Sequence, residues 1–325
     1  EPLGTQQPSA TQVGVGATPT PSIPRVNPFV AQVRRPRAPG GANAYAWLES
    51  VHSIRTRHWI FAENQSTAKA LAGIPERAWI RSRLAQLQRG DHSGAAADVI
   101  VERSSYLGPD GTRLPMEIAH RRESARDGNQ PALLAVYRGA SKADGPLLRP
   151  LVLVWIEMGG VYARAQVRDG VNAAPALPGA GASPDRANAL SDLYAAAQSL
   201  IDQRYTRRAR LGIYGRGFGG LMAGAAVTQR PDFFGAALPS GTWAQYRQVS
   251  SGNCFPPTLI VTAEQDGTVR PWRGYELAAA LQAEQVCGRP ILIRVDGGEG
   301  PQVQQERAAD ALAFAGKWLG ARPPG

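Results

Sequence analysis

Histidine is scarce in this chain and stops early. Of 325 residues only four are histidine, His52, His58, His92 and His120. Cysteine is limited to Cys254 and Cys287. Nowhere do His and Cys cluster as transition-metal ligands do, so neither a metal nor another cofactor is expected. Lysine occurs only at Lys69, Lys142 and Lys317. No apolar run reaches the roughly 18 residues of a membrane-crossing helix, which excludes a transmembrane segment.

What the chain does have is arginine, alanine, glycine and proline. Its net charge is +10 and its pI about 10.1, a balance that can attract acidic partners or nucleic acid. The arginines are scattered, however, without the aromatic-interleaved basic stripe of a nucleic-acid reader. They fit the composition bias of a GC-rich genome, and no nucleic-acid partner is expected. Apolar residues make up 43%, enough for a sizeable core. The chain begins at Glu1 with no signal peptide in view. The expectation is an exported, periplasmic or extracellular, mature form whose leader has been removed; the alternative is cytoplasmic.

Residues 1–42 are rich in Pro, Gly, Thr, Ser and Gln. They bury too little apolar surface to offset ordering entropy, and read as a flexible tail or an arm that orders on a partner. Residues 43–90 form a helical segment: Trp47, Val51, Ile54, Trp59, Leu71, Ile74, Trp79 and Leu84 recur at helical spacing, broken by Pro75. From residue 91 onward strands and helices alternate. Asp98–Tyr106 and Leu114–Arg121 read as a hairpin around Pro109-Asp-Gly111. Strands are then expected at Leu133–Tyr137, Leu151–Trp155, Val161–Val167, Ala236–Leu238, Thr258–Thr262 and Ile291–Val295. Helices are expected at Asn188–Arg204, Pro271–Val286 and Gln304–Leu319. This pattern predicts an α/β fold with a mostly parallel sheet covered on both faces. Each cysteine precedes one of the last two strands. If these are parallel neighbours their starts lie together, so a disulfide is expected, as in an exported protein; two unrelated buried thiols are the alternative.

The chain is organised around Arg210-Leu-Gly-Ile-Tyr-Gly-Arg-Gly-Phe-Gly-Gly-Leu-Met-Ala-Gly224, which reads as strand, tight turn and helix. This is the layout of a nucleophile elbow, G-x-S-x-G. Here the pattern is Gly215-Arg216-Gly217-Phe218-Gly219, and the centre carries no side chain that could attack a carbonyl. Read as a dinucleotide fingerprint, Gly215-x-Gly217-x-x-Gly220 lacks the ribose-binding acid after the next strand, which runs into Pro239-Ser-Gly-Thr242.

Several separated motifs, in order, resemble the prolyl oligopeptidase family of serine peptidases. They include Asn43-Ala-Tyr-Ala-Trp-Leu-Glu49, Asn64, Thr67, Ile74-Pro-x-Arg77 and Ser105-Tyr-Leu-Gly-Pro-Asp-Gly-Thr-Arg-Leu-Pro115. Further along come Gly159-Gly-Val-Tyr-Ala163 with Val167-Arg168, Gln229-Arg-Pro-Asp232, Thr262-Ala263 to Pro271, and Leu292-Ile-Arg-Val-Asp296. The resemblance spans residues 43–320. It implies an α/β-hydrolase fold on which the N-terminal helices pack. It also implies a seven-bladed propeller between the two parts, for which the few residues after Gln88 leave no room.

Carried over residue by residue, the resemblance places the nucleophilic serine on Gly217 and the triad acid on Asp266. The oxyanion tyrosine falls on Tyr137, and the second oxyanion donor is the backbone N–H of Phe218. A substrate-binding arginine falls on Thr268. The histidine falls on Glu299 in Gly297-Gly-Glu-Gly300. A triad needs a nucleophile, a base and a group that orients the base. In this fold the base comes last in the chain, and no histidine does. No intact catalytic set remains among Gly217, Asp266 and Glu299, while Tyr137, Phe218, Arg216 and Thr268 still line the cleft. The leading expectation is a pseudoenzyme that binds a protein or peptide partner. The alternatives are a family hydrolase with weak or relocated chemistry, for instance Glu299 as a base for water, and an adaptor driven by residues 1–42.

Overall fold

The computed structural model describes residues 44–91, 98–138, 147–168, 184–241, 249, 252–264, 270–298 and 300–324. The expected tail lies outside them. After a single 3-10 turn at Ala46–Glu49 come α1 (Ile54–Ala72) and α2 (Glu76–Gln88). The Ser53 hydroxyl accepts from the Thr56 N–H and caps α1. Ten residues later the sheet begins with β1 (Val99–Leu107), β2 (Arg113–Arg121) and β3 (Ala132–Arg138). Then follow α3 (Pro150–Glu157), β4 (Val161–Val167), α4 (Pro184–Asp202), β5 (Leu211–Arg216) and α5 (Phe218–Gln229). The chain closes with β6 (Ala236–Ser240), β7 (Thr258–Ala263), α6 (Trp272–Glu284), β8 (Ile291–Asp296) and α7 (Pro301–Leu319).

The eight strands form one sheet in the order β1-β2-β4-β3-β5-β6-β7-β8. β1 and β2 are antiparallel, β2 meets β4 antiparallel, and every later pairing is parallel. Helices α4, α5 and α6 cover one face, with Leu193, Met222 and Tyr275 in its cores. On the other face α2, α3 and α7 bury Leu84, Trp155 and Phe314.

The run Leu151–Trp155, expected as a strand, is helical. Val152 through Ile156 are all buried, so the run shows no period by which helix and strand differ. The flanks decide it. Pro150 presets a first helical turn after the extended Arg149, and Gly159, at φ +81°, ends it. A Cβ on Gly160 would lie 2.3 Å from the Trp155 ring, whose indole N–H donates to the Val161 carbonyl at 2.9 Å. That close approach turns the chain into β4. Helix α4 starts at Pro184, one turn before the expected Asn188.

β8 is the outer strand on one side, and α1 closes its edge. The Asn64 amide donates to the Val295 carbonyl and accepts from the Val295 N–H, both at 2.8 Å. Thr67 donates to the Ile293 carbonyl at 2.7 Å. Two side chains of a helix thus take the place of a ninth strand. An ion-pair network carries the clamp inward. Arg77 of α2 pairs with Glu306 and with the buried Asp310 of α7, and Arg294 of β8 pairs with Asp310 and Asp296. Removing one partner of such a buried carboxylate costs more than the pair itself contributes.

Candidate functional site

β5 ends at Arg216 and α5 begins at Phe218, so the whole turn falls on Gly217. Its backbone sits at φ +54°, ψ −118°, a region that L side chains occupy only under strain. The turn is held on both sides: the Gly217 N–H donates to the Ser240 carbonyl at 3.1 Å, and the Gly217 carbonyl accepts from the Leu221 N–H at 2.9 Å. The neighbouring glycines are there for space. A Cβ on Gly215 would come within 2.3 Å of the Gly219 carbonyl carbon, and one on Gly220 within 2.1 Å of the Ser240 oxygen. At Gly217 itself an added Cβ meets no described atom within 4 Å. The elbow therefore keeps a backbone geometry that would strain any other residue, and the room for a side chain, but has no side chain.

Phe218 supplies the first N–H of α5, one of the donors that a helix leaves without an intrahelical acceptor. Tyr137 lies at the same end of the sheet, one residue before the end of β3, which neighbours β5. Two guanidiniums lie over these rings, Arg138 at 5.3 Å from the Phe218 centroid and Arg164 at 5.5 Å from that of Tyr137. Arg164 is held by Glu117 at 2.5 Å. The ensemble of N-terminal N–H groups and nearby cations favours a ligand with negative or developing negative charge. Arg216 projects, exposed, from the last position of β5.

Asp266, Thr268 and Glu299 lie outside the described residues. The strands leading to them, β7 and β8, end at Ala263 and Asp296, which are paired in register. His92 is also outside the described residues. His120 is buried in β2, and β4 and β3 stand between that strand and β5. Its ring contacts the Arg121 carbonyl at 2.7 Å and Glu102 at 2.8 Å. Glu102 also accepts from Arg126 and Tyr205. Desolvation pushes the Glu102 carboxyl up, but hydrogen bonds from Arg126, Tyr205 and His120 outweigh it and hold the group down at about 2. This cluster ties the β1–β2 hairpin to the rest of the sheet, far from the elbow in strand order. Nothing in the spacing of these residues announced it.

Two of the sequence motifs meet in space. Arg168, after β4, binds the buried Asp192 of α4 through its backbone N–H at 3.0 Å and its guanidinium at 2.6 Å, and reaches Asp110 in the β1–β2 turn. Cys254 and Cys287 are joined in a disulfide with Cα atoms 5.3 Å apart, at the starts of the parallel neighbours β7 and β8. That is the end of the sheet opposite the elbow.

Residues 148–251, which contain the elbow, match the model of the prolyl oligopeptidase family. Over that span the chain is similar to the prolyl oligopeptidase family. It is 29% identical over 258 residues to a prolyl endopeptidase of Elizabethkingia miricola, covering 66% of this chain and 36% of that protein. A dual function macrocyclase-peptidase of Galerina marginata is 25% identical over 259 residues, with the same two coverages. Among solved structures, one from a structural and mechanistic study of two prolyl endopeptidases matches at TM-score 0.60 and 29% identity. It covers 69% of this chain and 39% of that one. Oligopeptidase B from Leishmania major matches at TM-score 0.56 and 21% identity, covering 69% and 37%, and shares the fold. The chain thus spans a little over a third of the length of these relatives. The chain has the expected α/β-hydrolase architecture, a mostly parallel sheet flanked by helices. No propeller is found among the described residues.

Proposed function

We propose that this prolyl oligopeptidase-like domain holds a protein or peptide partner at the head of its sheet and does not cut it. One observation carries the reading: the elbow retains its sharp turn at φ +54° around Gly217, which has no attacking oxygen. Glycine adopts that angle at little cost, so the turn persists with the reactive side chain gone. The missing imidazole supports the same reading, because His120 is the last histidine and lies elsewhere in the sheet. Removing both nucleophile and base leaves at most the modest acceleration due to binding and oxyanion donors. What survives, the Phe218 N–H, Tyr137 and the arginines around them, suits binding of a carbonyl-rich or anionic chain. Ile54 and Phe61, seven residues apart on α1 and both exposed, add a short apolar stripe suited to a protein partner.

The second reading is a serine-type hydrolase of the family with relocated chemistry, and the names of the relatives favour it. A fluorophosphonate probe separates the two. Under the binding reading, native protein shows no stoichiometric labelling and purified chain does not turn over proline-containing peptides or esters. Labelling that is abolished by denaturation, or saturable turnover lost in Asp266→Asn, supports the hydrolase instead. The Cys254–Cys287 disulfide supports placing the protein in an oxidising, exported compartment.

A further inference from the structure

Glu63 sits on α1 beside the two residues that seal the outer strand: Asn64 follows it, and Thr67 lies one turn on. Its own side chain meets α6, where the Gln282 amide donates to its Oε2 at 2.9 Å and to the Ile291 carbonyl of β8 at 3.1 Å. Both Gln282 amide hydrogens are then used. Two buried oxygens, Glu63 Oε1 and Gln282 Oε1, have no donor among the described residues. The same seam between α1 and α6 leaves the Trp59 N–H and the Tyr275 hydroxyl unpartnered, their ring centroids 5.8 Å apart. Each buried polar group without a partner weakens the contact that buries it. A proton on Glu63 supplies what its pair with Gln282 lacks. A neutral carboxyl donates through one oxygen and accepts through the other, which matches the carbonyl and N–H of an amide. An ionised carboxylate instead leaves both orphan oxygens without a donor, at a high desolvation cost.

The charged and titratable groups of the surrounding elements have other partners or face elsewhere. On α6, burial and the charge of Glu264 push the Tyr275 hydroxyl up, so it stays neutral. Glu276 is paired with Arg273 at 2.9 Å, and Glu284 at the helix end acts on Tyr45. On β8, Ile293 and Val295 join the core shared with α6. By strand alternation Arg294 and Asp296 take the other face, where they pair with each other and Arg294 with Asp310. On α1, Arg55, Arg57, His58 and Lys69 are exposed, as is Glu49 in the turn before it. Burial and the Gln282 bond are what act on the Glu63 carboxyl, and burial prevails.

We propose that Glu63 is a pH-sensitive latch on α1: as a neutral acid it closes the seam with α6 and holds Asn64 and Thr67 on β8, and on losing its proton it lets that turn of α1 lift and bares the margin of β8. The latch is built from α1, α6 and β8 and does not depend on whether the elbow is inert.

Residue-resolved hydrogen exchange of the full chain tests it. The Val295 amide, held by Asn64, reports the clamp, and the Arg294 amide, which faces β7, is the internal reference. With the carboxyl at 4.5 when exposed and at about 7 when buried, the open population rises about thirtyfold between pH 5.5 and 8.5. After correction for intrinsic exchange, protection at Val295 relative to Arg294 falls by that factor. In Glu63→Gln the ratio is flat over the same range, because the amide supplies the missing donor at every pH. Carboxyl-carbon NMR of the parent places the Glu63 midpoint near 7, and this reading stands whether or not the variant folds. The latch is overturned by a parent ratio that ignores pH, by Val295 and Arg294 losing protection together, by a Glu63→Gln variant that keeps the pH dependence, or by a midpoint near 4.5.

Discussion

At residue 217 the backbone angle, and not the available space, sets the cost of a side chain. Gly217→Ser therefore folds, losing about 1–2 kcal/mol through the positive φ, measured as a shift in denaturant midpoint without change in slope. It remains unlabelled by fluorophosphonate because no imidazole among the described residues reaches it; a second change, Glu299→His, is expected to bring labelling. Glu63 of α1 makes a different case. It is 2% exposed and receives one hydrogen bond, from Gln282 at 2.9 Å, while its second oxygen has no partner. Burial drives its carboxyl up to about 7. Because the folded value lies above the unfolded one, its contribution is intact below about 4.5 and is lost as pH rises through 7. Glu63→Gln removes that slope, worth about 3 kcal/mol, so the melting temperature of the variant changes less between pH 4.5 and 7.5 than that of the parent. Neither the room at Gly217 nor the solitary burial of Glu63 can be read from sequence: both depend on what packs around a residue.

Among the elements, the strand-helix order was legible because alternating apolar runs and turn residues mark where each element starts and stops. The run through Trp155 was not, since burial on every side erases the period and only packing against Gly160 fixes the helix. Asn64 and Thr67 stood out only by resemblance, yet their work is plain once β8 proves to be an outer strand. Asn64→Leu leaves the Val295 N–H and C=O without partners and costs about 2–4 kcal/mol. It also accelerates hydrogen exchange at the Val295 amide by orders of magnitude relative to Arg294, whose backbone faces β7, which distinguishes loss of an edge from general destabilisation.

Across the whole molecule, the disulfide and the elbow occupy opposite ends of the sheet. The bridge closes a loop of 33 residues, for which chain entropy gives about 3–4 kcal/mol. Reduction, or Cys254→Ser with Cys287→Ser, is expected to lower stability by that order while leaving partner binding unchanged below the new melting point. The parallel pairing of β7 and β8 was the one long-range contact that cysteine placement made legible. The remaining strand order, and with it the separation of His120 from the elbow, follows from crossovers that local sequence does not encode.

Among the described residues, a sheet sealed along one margin by Asn64 and Thr67 has only β1 left as an outer strand. Two such molecules joined edge to edge consume both remaining margins, so that growth ends at a pair. The clamp of α1 is therefore also a stop against fibre formation, and its removal turns a self-limiting contact into one that can propagate.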